Sequence, residues 1–183
     1  NRLTKLTSSL LELNNYDSYG IWLVCKDFDI VDLVLSAINS FEGRCIEKKI
    51  SLRLNNHTEH SIVHADKTKI EQVIYNLLDN AIKFTSENKS IYVTLTEKHD
   101  KIFVSVKDEG CGIPKESLNR VWVRFYKADR SRGKDKQGTG LGLAITKEII
   151  KAHNENINVV STEGVGSEFT FSLSKATTDS EQS

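Results

Sequence analysis

The chain has 183 residues, with 25 basic and 25 acidic side chains that cancel to a formal charge of zero. Its length suits one domain burying roughly 70% of its unfolded surface, and the balanced charge gives no electrostatic ground for nucleic acid or an anionic membrane as partner. No apolar run approaches the roughly 18 residues a spanning helix needs and no signal-peptide pattern opens the chain. Three widely spaced cysteines, Cys25, Cys45 and Cys111, fit packing roles in a reducing compartment rather than a disulfide framework or metal cluster.

Leu3, Leu6, Leu10 and Leu13 recur at three and four residues, a coiled-coil-like seam that predicts a helix stopping near Asn14 and Asn15. One and a half heptads cannot stand alone, so residues 1–15 read as the end of a longer helical segment, and the initial Asn1 suggests a piece of something longer. Residues 16–28 read as a connector. Asp29 is a good N-cap for a helix through IVDLVLSAINSFEGRCIEKK, and ISLRLN after it alternates like a strand. Asp66 caps the next helix, KTKIEQVIYNLLDNAIKFT. Two strands, IYVTLTEK and KIFVSVKD, are joined by a turn at His99 and Asp100. After DEGCGIP come a brief helical stretch led by Pro114, a charged segment, a glycine-led helix to about His153, and the strands INVVS and SEFTFSLS. The polar tail 175–183 is expected to be disordered. This order predicts an α+β fold, a two-layer sandwich in which helices cover one face of a sheet, spanning residues 29–174.

Three patterns carry chemistry. On the helix after Asp66, 100° per residue places Ile70, Val73, Ile74, Leu77, Leu78, Ala81 and Phe84 on one apolar face, with Asn76, Asn80 and Lys83 in a stripe at its rim. A solvated border is the simpler reading of that stripe alone; the alternative is carboxamide oxygens for a hard cation and an ammonium for a phosphate. In KIFVSVKDEG, Asp108 shares a side with Ile102, Val104 and Val106, so a carboxylate is aimed at the core and needs donors. It either caps the turn through the amides of Gly110 and Gly112 or accepts from an exocyclic amine such as that of adenine. Finally, QGTGLGLAIT has glycines at 138, 140 and 142, matching neither the dinucleotide fingerprint nor the P-loop. Phe125, Tyr126 and a basic run with Lys127, Arg130 and Arg132 precede it, as in a mobile lid over a polyphosphate, and its amides open a helix whose dipole favours anions.

Taken together, NLLDNAIKF, DEGCGIP, RFYKADRSR and GTGLGLAI resemble the N, G1, F and G2 boxes of sensor histidine kinases, in that family's order and over nearly the whole chain. The resemblance implies the Bergerat-type ATP-binding fold shared with gyrase, the heat-shock chaperone and mismatch-repair ATPases, with a mixed sheet and a mobile ATP lid. It implies ATP and Mg²⁺ as ligands: Asn80 as magnesium ligand, Asn76 as its companion, and Lys83 on a phosphate, with Asn76 and Lys83 serving catalysis. Phe84, where many relatives have tyrosine, would pack on the base. Asp108 would hold the adenine amine in a pocket shaped by Gly110, Gly112 and Ile113. Gly138, Thr139, Gly140, Leu141 and Gly142 would wrap the phosphates, with Lys127, Arg130 and Arg132 reaching from the lid. Val123 departs from the pattern, standing where the family often has an acidic residue.

The related motor ATPases carry a glutamate where Asn76 stands, and an amide cannot act as that base, so phosphoryl transfer is favoured over hydrolysis. In histidine kinases the acceptor is an imidazole on a dimeric helical hairpin, and the phosphoryl group passes on to an aspartate of a response regulator. None of His57, His60, His64, His99 and His153 has the sequence context of that acceptor. The expectation is therefore the catalytic part of a longer kinase, monomeric as a fragment, homodimeric in full, and cytoplasmic in a membrane-anchored parent. A binding-only pseudokinase, a gyrase-type hydrolase and an anti-sigma-type serine kinase are the competing expectations.

Overall fold

The structure is a computed structural model and describes residues 2–127 and 139–177. Helix α1 (Arg2–Tyr19) is followed by β1 (Lys26–Asp29), α2 (Ile30–Glu47), β2 (Ser51–His57), β3 (Ile62–Ala65) and α3 (Lys67–Phe84). Then come β4 (Ser90–Lys98), β5 (Lys101–Asp108), a 3₁₀ turn (Lys115–Ser117), α4 (Gly142–Ala152), β6 (Ile157–Thr162) and β7 (Gly166–Ser174). Five strands form one sheet in the order β2-β4-β5-β7-β6, and β1 pairs with β3 in a second, two-stranded sheet. β2 runs parallel to β4 and the remaining pairs of the large sheet are antiparallel, so that sheet is mixed.

The caps and the alternation produce this arrangement. Asp29 Oδ1 accepts from the amides of Val31 (2.7 Å) and Asp32 (3.3 Å), and Asp66 Oδ1 from Lys69 (3.1 Å), so each helix begins where a carboxylate satisfies its free amides. Ile91, Val93 and Leu95 on β4, Ile102, Val104 and Val106 on β5, and Phe169, Phe171 and Leu173 on β7 are buried on one face of the sheet. Helices α2, α3 and α4 lie side by side against it. The end of α3 is fixed by Lys48, whose ammonium donates to the carbonyls of Ile82 (2.6 Å), Thr85 (3.4 Å) and Lys83 (3.5 Å). A cation there satisfies last-turn acceptors and opposes the helix dipole.

Four expectations are corrected. Helix α1 runs on past Asn14 and Asn15 to Tyr19, because burying Leu13 completely and half-burying Tyr16 outweighs the poor helix propensity of asparagine. It ends at Gly20, whose φ of +73° and amide bond to the Tyr16 carbonyl (2.9 Å) make a left-handed C-cap. The segment read as connector contains β1, and β1 and β3 escape pattern reading because four residues are too few to show a period, KDFD being mostly charged and IVHA mostly apolar. Phe84 is only half-buried, while Ile82 joins the core; Phe84 keeps the azimuth of Leu77, but at the last turn that side faces a cavity. The tail remains attached for two residues: Lys175 bridges Val63 and pairs with Glu97 at 3.2 Å, and the Ala176 amide donates to Ile62 (3.0 Å). The three cysteines are free thiols, Cys45 buried and the other two partly so.

Because Leu13 is fully buried in the main core, Leu13→Ala is expected to lower unfolding free energy by about 2 to 4 kcal/mol, the cost of truncating a core leucine. Urea denaturation followed by circular dichroism measures it; an unchanged midpoint would mean that α1 contributes nothing to the folded unit.

Candidate functional site

A cleft of about 260 Å³ opens between α3, the segment after β5 and the start of α4. Its floor is Asp108. The β5 register pairs this residue with Ile91 and Ser167, on the core side of the strand end, and it is 6% exposed. Oδ1 accepts from the amides of Gly110 (2.8 Å) and Ser167 (3.3 Å), whereas Oδ2 has no hydrogen-bond partner among the described residues. Burial pushes the carboxyl up to about 6, against the lowering effect of the two amides. Gly110 is obligatory, since a Cβ there would lie 2.6 Å from Asp108 Oδ1 and 2.7 Å from the Phe84 carbonyl oxygen. Turn capping and amine recognition are thus compatible: one oxygen caps, through Gly110 and not Gly112, and the other is a free acceptor.

Asn76, Asn80 and Lys83, with Phe84, line the wall formed by α3. Asn76 Nδ2 donates to the Gly142 carbonyl (3.2 Å) and Thr146 Oγ1 (3.3 Å), tying α3 to the first turn of α4. Asn80 makes no side-chain hydrogen bond among the described residues. Lys83 Nζ lies 2.7 Å from Asp79 Oδ2, and Arg44 Nη1 lies 2.8 Å from Asp79 Oδ1. Burial raises the Asp79 carboxyl, but Lys83 and Arg44 outweigh it and hold the group below the usual carboxylate range. Opposite stand Thr139, Gly140 and Gly142; Gly140 has a φ of +72° and its Cβ would lie 2.9 Å from the Phe125 Cα. Phe125 and Gly140 are joined by a 2.9 Å backbone bond, and Tyr126 is anchored through its hydroxyl to Ser117 Oγ (2.8 Å).

Residues 65–177 match the family of histidine kinase-, DNA gyrase B-, and HSP90-like ATPases. The chain belongs to this family. It is 36% identical over 174 residues to the sensor histidine kinase WalK of Bacillus subtilis, covering 94% of this chain and 28% of WalK. The chain thus spans less than a third of the length of curated relatives that it matches. Full-length ShkA in complex with AMPPNP superposes with a TM-score of 0.84 at 26% identity, covering 96% of this chain and 37% of ShkA. Histidine kinase ThkA in complex with the response regulator TrrA gives 0.79 at 28% identity, over 96% of this chain and 49% of ThkA. The mixed five-stranded sheet under helices is the architecture of histidine kinase ATP-binding domains, as expected.

Within this ATPase domain, the cleft brings together Asn76, Asn80, Lys83, Phe84, Asp108, Gly112, Ile113, Lys127, Thr139, Gly140 and Gly142. Gly110 stands behind Asp108 instead of on the wall. The Leu141 side chain is fully buried in the core, and its amide turns to the loop, donating to Thr139 Oγ1 at 3.3 Å, so this residue can meet a phosphate only through its backbone. Arg130, Arg132 and Gly138 lie outside the described residues. Reading the sequence missed Asp79, although its i,i+4 spacing to Lys83 signalled the pair, and Arg44, Gln72 and Ser9, which reach the site or its ion pairs from other turns and helices.

The donor set also tests the implied metal. Among the described residues, the one His/Cys/Asp/Glu group with ligand atoms close together is Glu59, His60 and Glu97, none of which lines the cleft. The cleft offers neutral carboxamide oxygens, on Asn80 and Asn76. These fit Mg²⁺ only as it is commonly held, by few protein oxygens together with substrate phosphates and retained water.

The Asp108 shift makes stability depend on pH. An unfolded aspartate titrates near 3.8 and the folded one near 6, so the fold binds this proton more tightly. The group's contribution is most favourable below the unfolded value and is lost as pH rises through 6, a difference on the order of 3 kcal/mol. Asp108→Asn keeps an oxygen for the two amides without the charge. The variant is expected to be the more stable protein at pH 7.5 and to lose that advantage by pH 4 in urea melts at both pH values; a gap independent of pH would dismiss the buried charge as its cause.

Proposed function

We propose that this chain is the catalytic ATP-binding part of a sensor histidine kinase, which binds Mg-ATP in the cleft and transfers the γ-phosphoryl group to a histidine on a dimerisation segment outside this chain. The observation that carries the reading is the pairing, in one cleft, of a buried carboxylate oxygen and a carboxamide on the α3 wall, neither with a hydrogen-bond partner among the described residues. Asp108 Oδ2 would accept from the adenine amine, with Phe84, Gly112 and Ile113 around the ring. Asn80, with Asn76, would hold Mg²⁺, which supplies charge neutralisation at the phosphates when bound. Thr139, Gly140, Gly142 and Lys127 would meet the phosphates, and Lys83 would exchange Asp79 for a phosphate oxygen. The AMPPNP in the ShkA complex and the response regulator in the ThkA complex support nucleotide as ligand and a receiver domain as downstream partner.

Phosphoryl transfer is favoured over hydrolysis because, among the described residues, the polar end has no competent base. The amide hydrogens of Asn76 are spent on Gly142 and Thr146, and Asp79 is an ion-paired carboxylate of lowered basicity. None of the five histidines lines the cleft, and His153 has both ring nitrogens engaged, with Ile149 O at 2.8 Å and the Asp66 amide at 3.1 Å. Residues 1–15 are read as the end of the dimerisation helix, of which the described part runs from Arg2 to Tyr19, 29–174 as the catalytic domain and Arg130, Arg132 and Gly138 as lid contacts. No helix among the described residues is long and apolar enough to cross a membrane; we read the parent as a membrane-anchored homodimer with this part in the cytoplasm.

Asn80→Ala is expected to leave the fold intact and to reduce magnesium-dependent ATP affinity by an amount on the order of a few kcal/mol, that of a lost bond to a charged group. Calorimetric titration with and without Mg²⁺ checks this, and equal affinity of variant and wild type in both conditions would remove Asn80 from the site. With labelled ATP, the chain alone is expected to acquire no phosphohistidine, while an added cognate hairpin is labelled weakly, in an acid-labile, base-stable form, because positioning now depends on encounter. Acid-stable label on this chain would favour a serine kinase, and ATP binding without label on any cognate hairpin would favour a binding-only module.

A further inference from the structure

Helix α1 lies outside residues 65–177, the part that matches the ATPase family, yet Ser9 on α1 lines the cleft. The contacts that seat it are specific. The Glu12 carboxylate receives Gln72 Nε2 on both oxygens (3.0 and 3.1 Å) and Lys69 Nζ at 3.3 Å. Lys69 donates also to the Tyr16 hydroxyl (2.7 Å), which itself donates to Glu12, and Leu13 is fully buried beside them. Across these side-chain contacts numbers fall along α1 as they rise along α3, from Tyr16 with Lys69 to Glu12 with Gln72. Ser9, one turn before Glu12, therefore comes level with Asn76, one turn after Gln72. Asp108 stands near Phe84, eight residues further along α3, which is about 12 Å of helix. Ser9 thus borders the end of the cleft opposite the base-reading carboxylate. Its hydroxyl has no hydrogen-bond partner among the described residues.

We infer that Ser9 is a nucleotide-binding residue contributed by α1, its hydroxyl donating to the terminal phosphate of ATP, and that Glu12 is the positioning residue that sets it there. The inference rests on the nucleotide reading of the cleft. Its consequence is that a helix outside the ATPase domain completes the site, so that seating α1 and binding a triphosphate favour each other. A diphosphate ends short of Ser9 and gains nothing from it.

The test measures AMPPNP and ADP affinities, with Mg²⁺, for the full chain by calorimetry. Ser9→Ala is expected to weaken AMPPNP about three- to tenfold, the loss of one hydrogen bond, and to leave ADP within about twofold. Ser9→Thr, which retains the hydroxyl, is expected to restore AMPPNP affinity, and Glu12→Ala to reproduce the Ser9→Ala pattern. A wild type that binds both nucleotides alongside an unaltered Ser9→Ala would overturn the inference and leave the nucleotide site standing. Equal losses for AMPPNP and ADP would overturn the terminal-phosphate placement, and a wild type that binds neither nucleotide would overturn both readings. Ser9→Ala decides the question by itself if Glu12→Ala melts below the assay temperature.

Discussion

The site depends on one unfavourable placement, the Asp108 carboxylate at the core end of β5. Moving an ionised carboxylate out of water costs several kcal/mol unless donors replace the solvent. Two backbone amides do so on Oδ1 only. The local backbone is arranged around that arrangement: Gly110 has no Cβ because one would sit on Oδ1, and Gly166 follows suit, with a hypothetical Cβ only 2.0 Å from the Asp108 carbonyl oxygen. The protein therefore keeps a destabilising charge at neutral pH, and keeps the backbone around it free of side chains. An apolar residue at 108 would suit a strand whose other inward positions are isoleucine and valine. The cost is understandable if the second oxygen, left without a partner among the described residues at an open cleft, is there to select what enters, as proposed.

Helix α3 relates that carboxylate to the polar end of the cleft. One side is core, from Ile70 to Ile82, which fixes the helix against β5; the other presents Asn76, Asn80 and Lys83. Lys48 holds the last turn, so Phe84 and Asp108 stay in fixed relation. At the polar end, charge is arranged in advance. Asp79 lies between Arg44 and Lys83, and if Lys83 turns to a phosphate, Arg44 still neutralises the carboxylate that is left behind. A lone Lys83–Asp79 pair would resist that exchange more strongly, since breaking a half-buried pair exposes an unpaired carboxylate.

The elements legible in the sequence are those governed by short-range rules. Capping carboxylates at Asp29 and Asp66 fixed two helix starts, period-two alternation found β4, β5 and β7, and parity along β5 was enough to aim Asp108 inward. The Asn76, Asn80 and Lys83 stripe was visible by helical spacing, but whether it bordered solvent or a cleft was not, because that depends on α4 arriving opposite. The failures have the same origin. Residues 14 to 19 are helical because Leu13 is buried in the core and Tyr16 meets Lys69 of α3, a contact between positions more than 50 residues apart. The pairing of β1 with β3 is likewise long-range, and a glycine-rich spacing does not say that the Leu141 side chain turns into the core.

The polar end of the cleft is incomplete as a metal site and as an anion site taken separately. Two neutral carboxamides do not repay the dehydration of Mg²⁺, and the amides at the start of α4 with Lys83 face a competing carboxylate at Asp79. In the proposed reading a triphosphate would supply what each lacks: anionic oxygens for the cation, and enough charge to draw Lys83 away from Asp79. Metal and nucleotide should therefore bind as one unit, each weak without the other. The same reasoning extends to α1, whose Glu12 is saturated by Lys69 and Gln72 and so presents no competing negative charge to the phosphates. What α1 does present is an uncharged hydroxyl, which adds no charge of its own to an end where Asp79 already stands between Arg44 and Lys83.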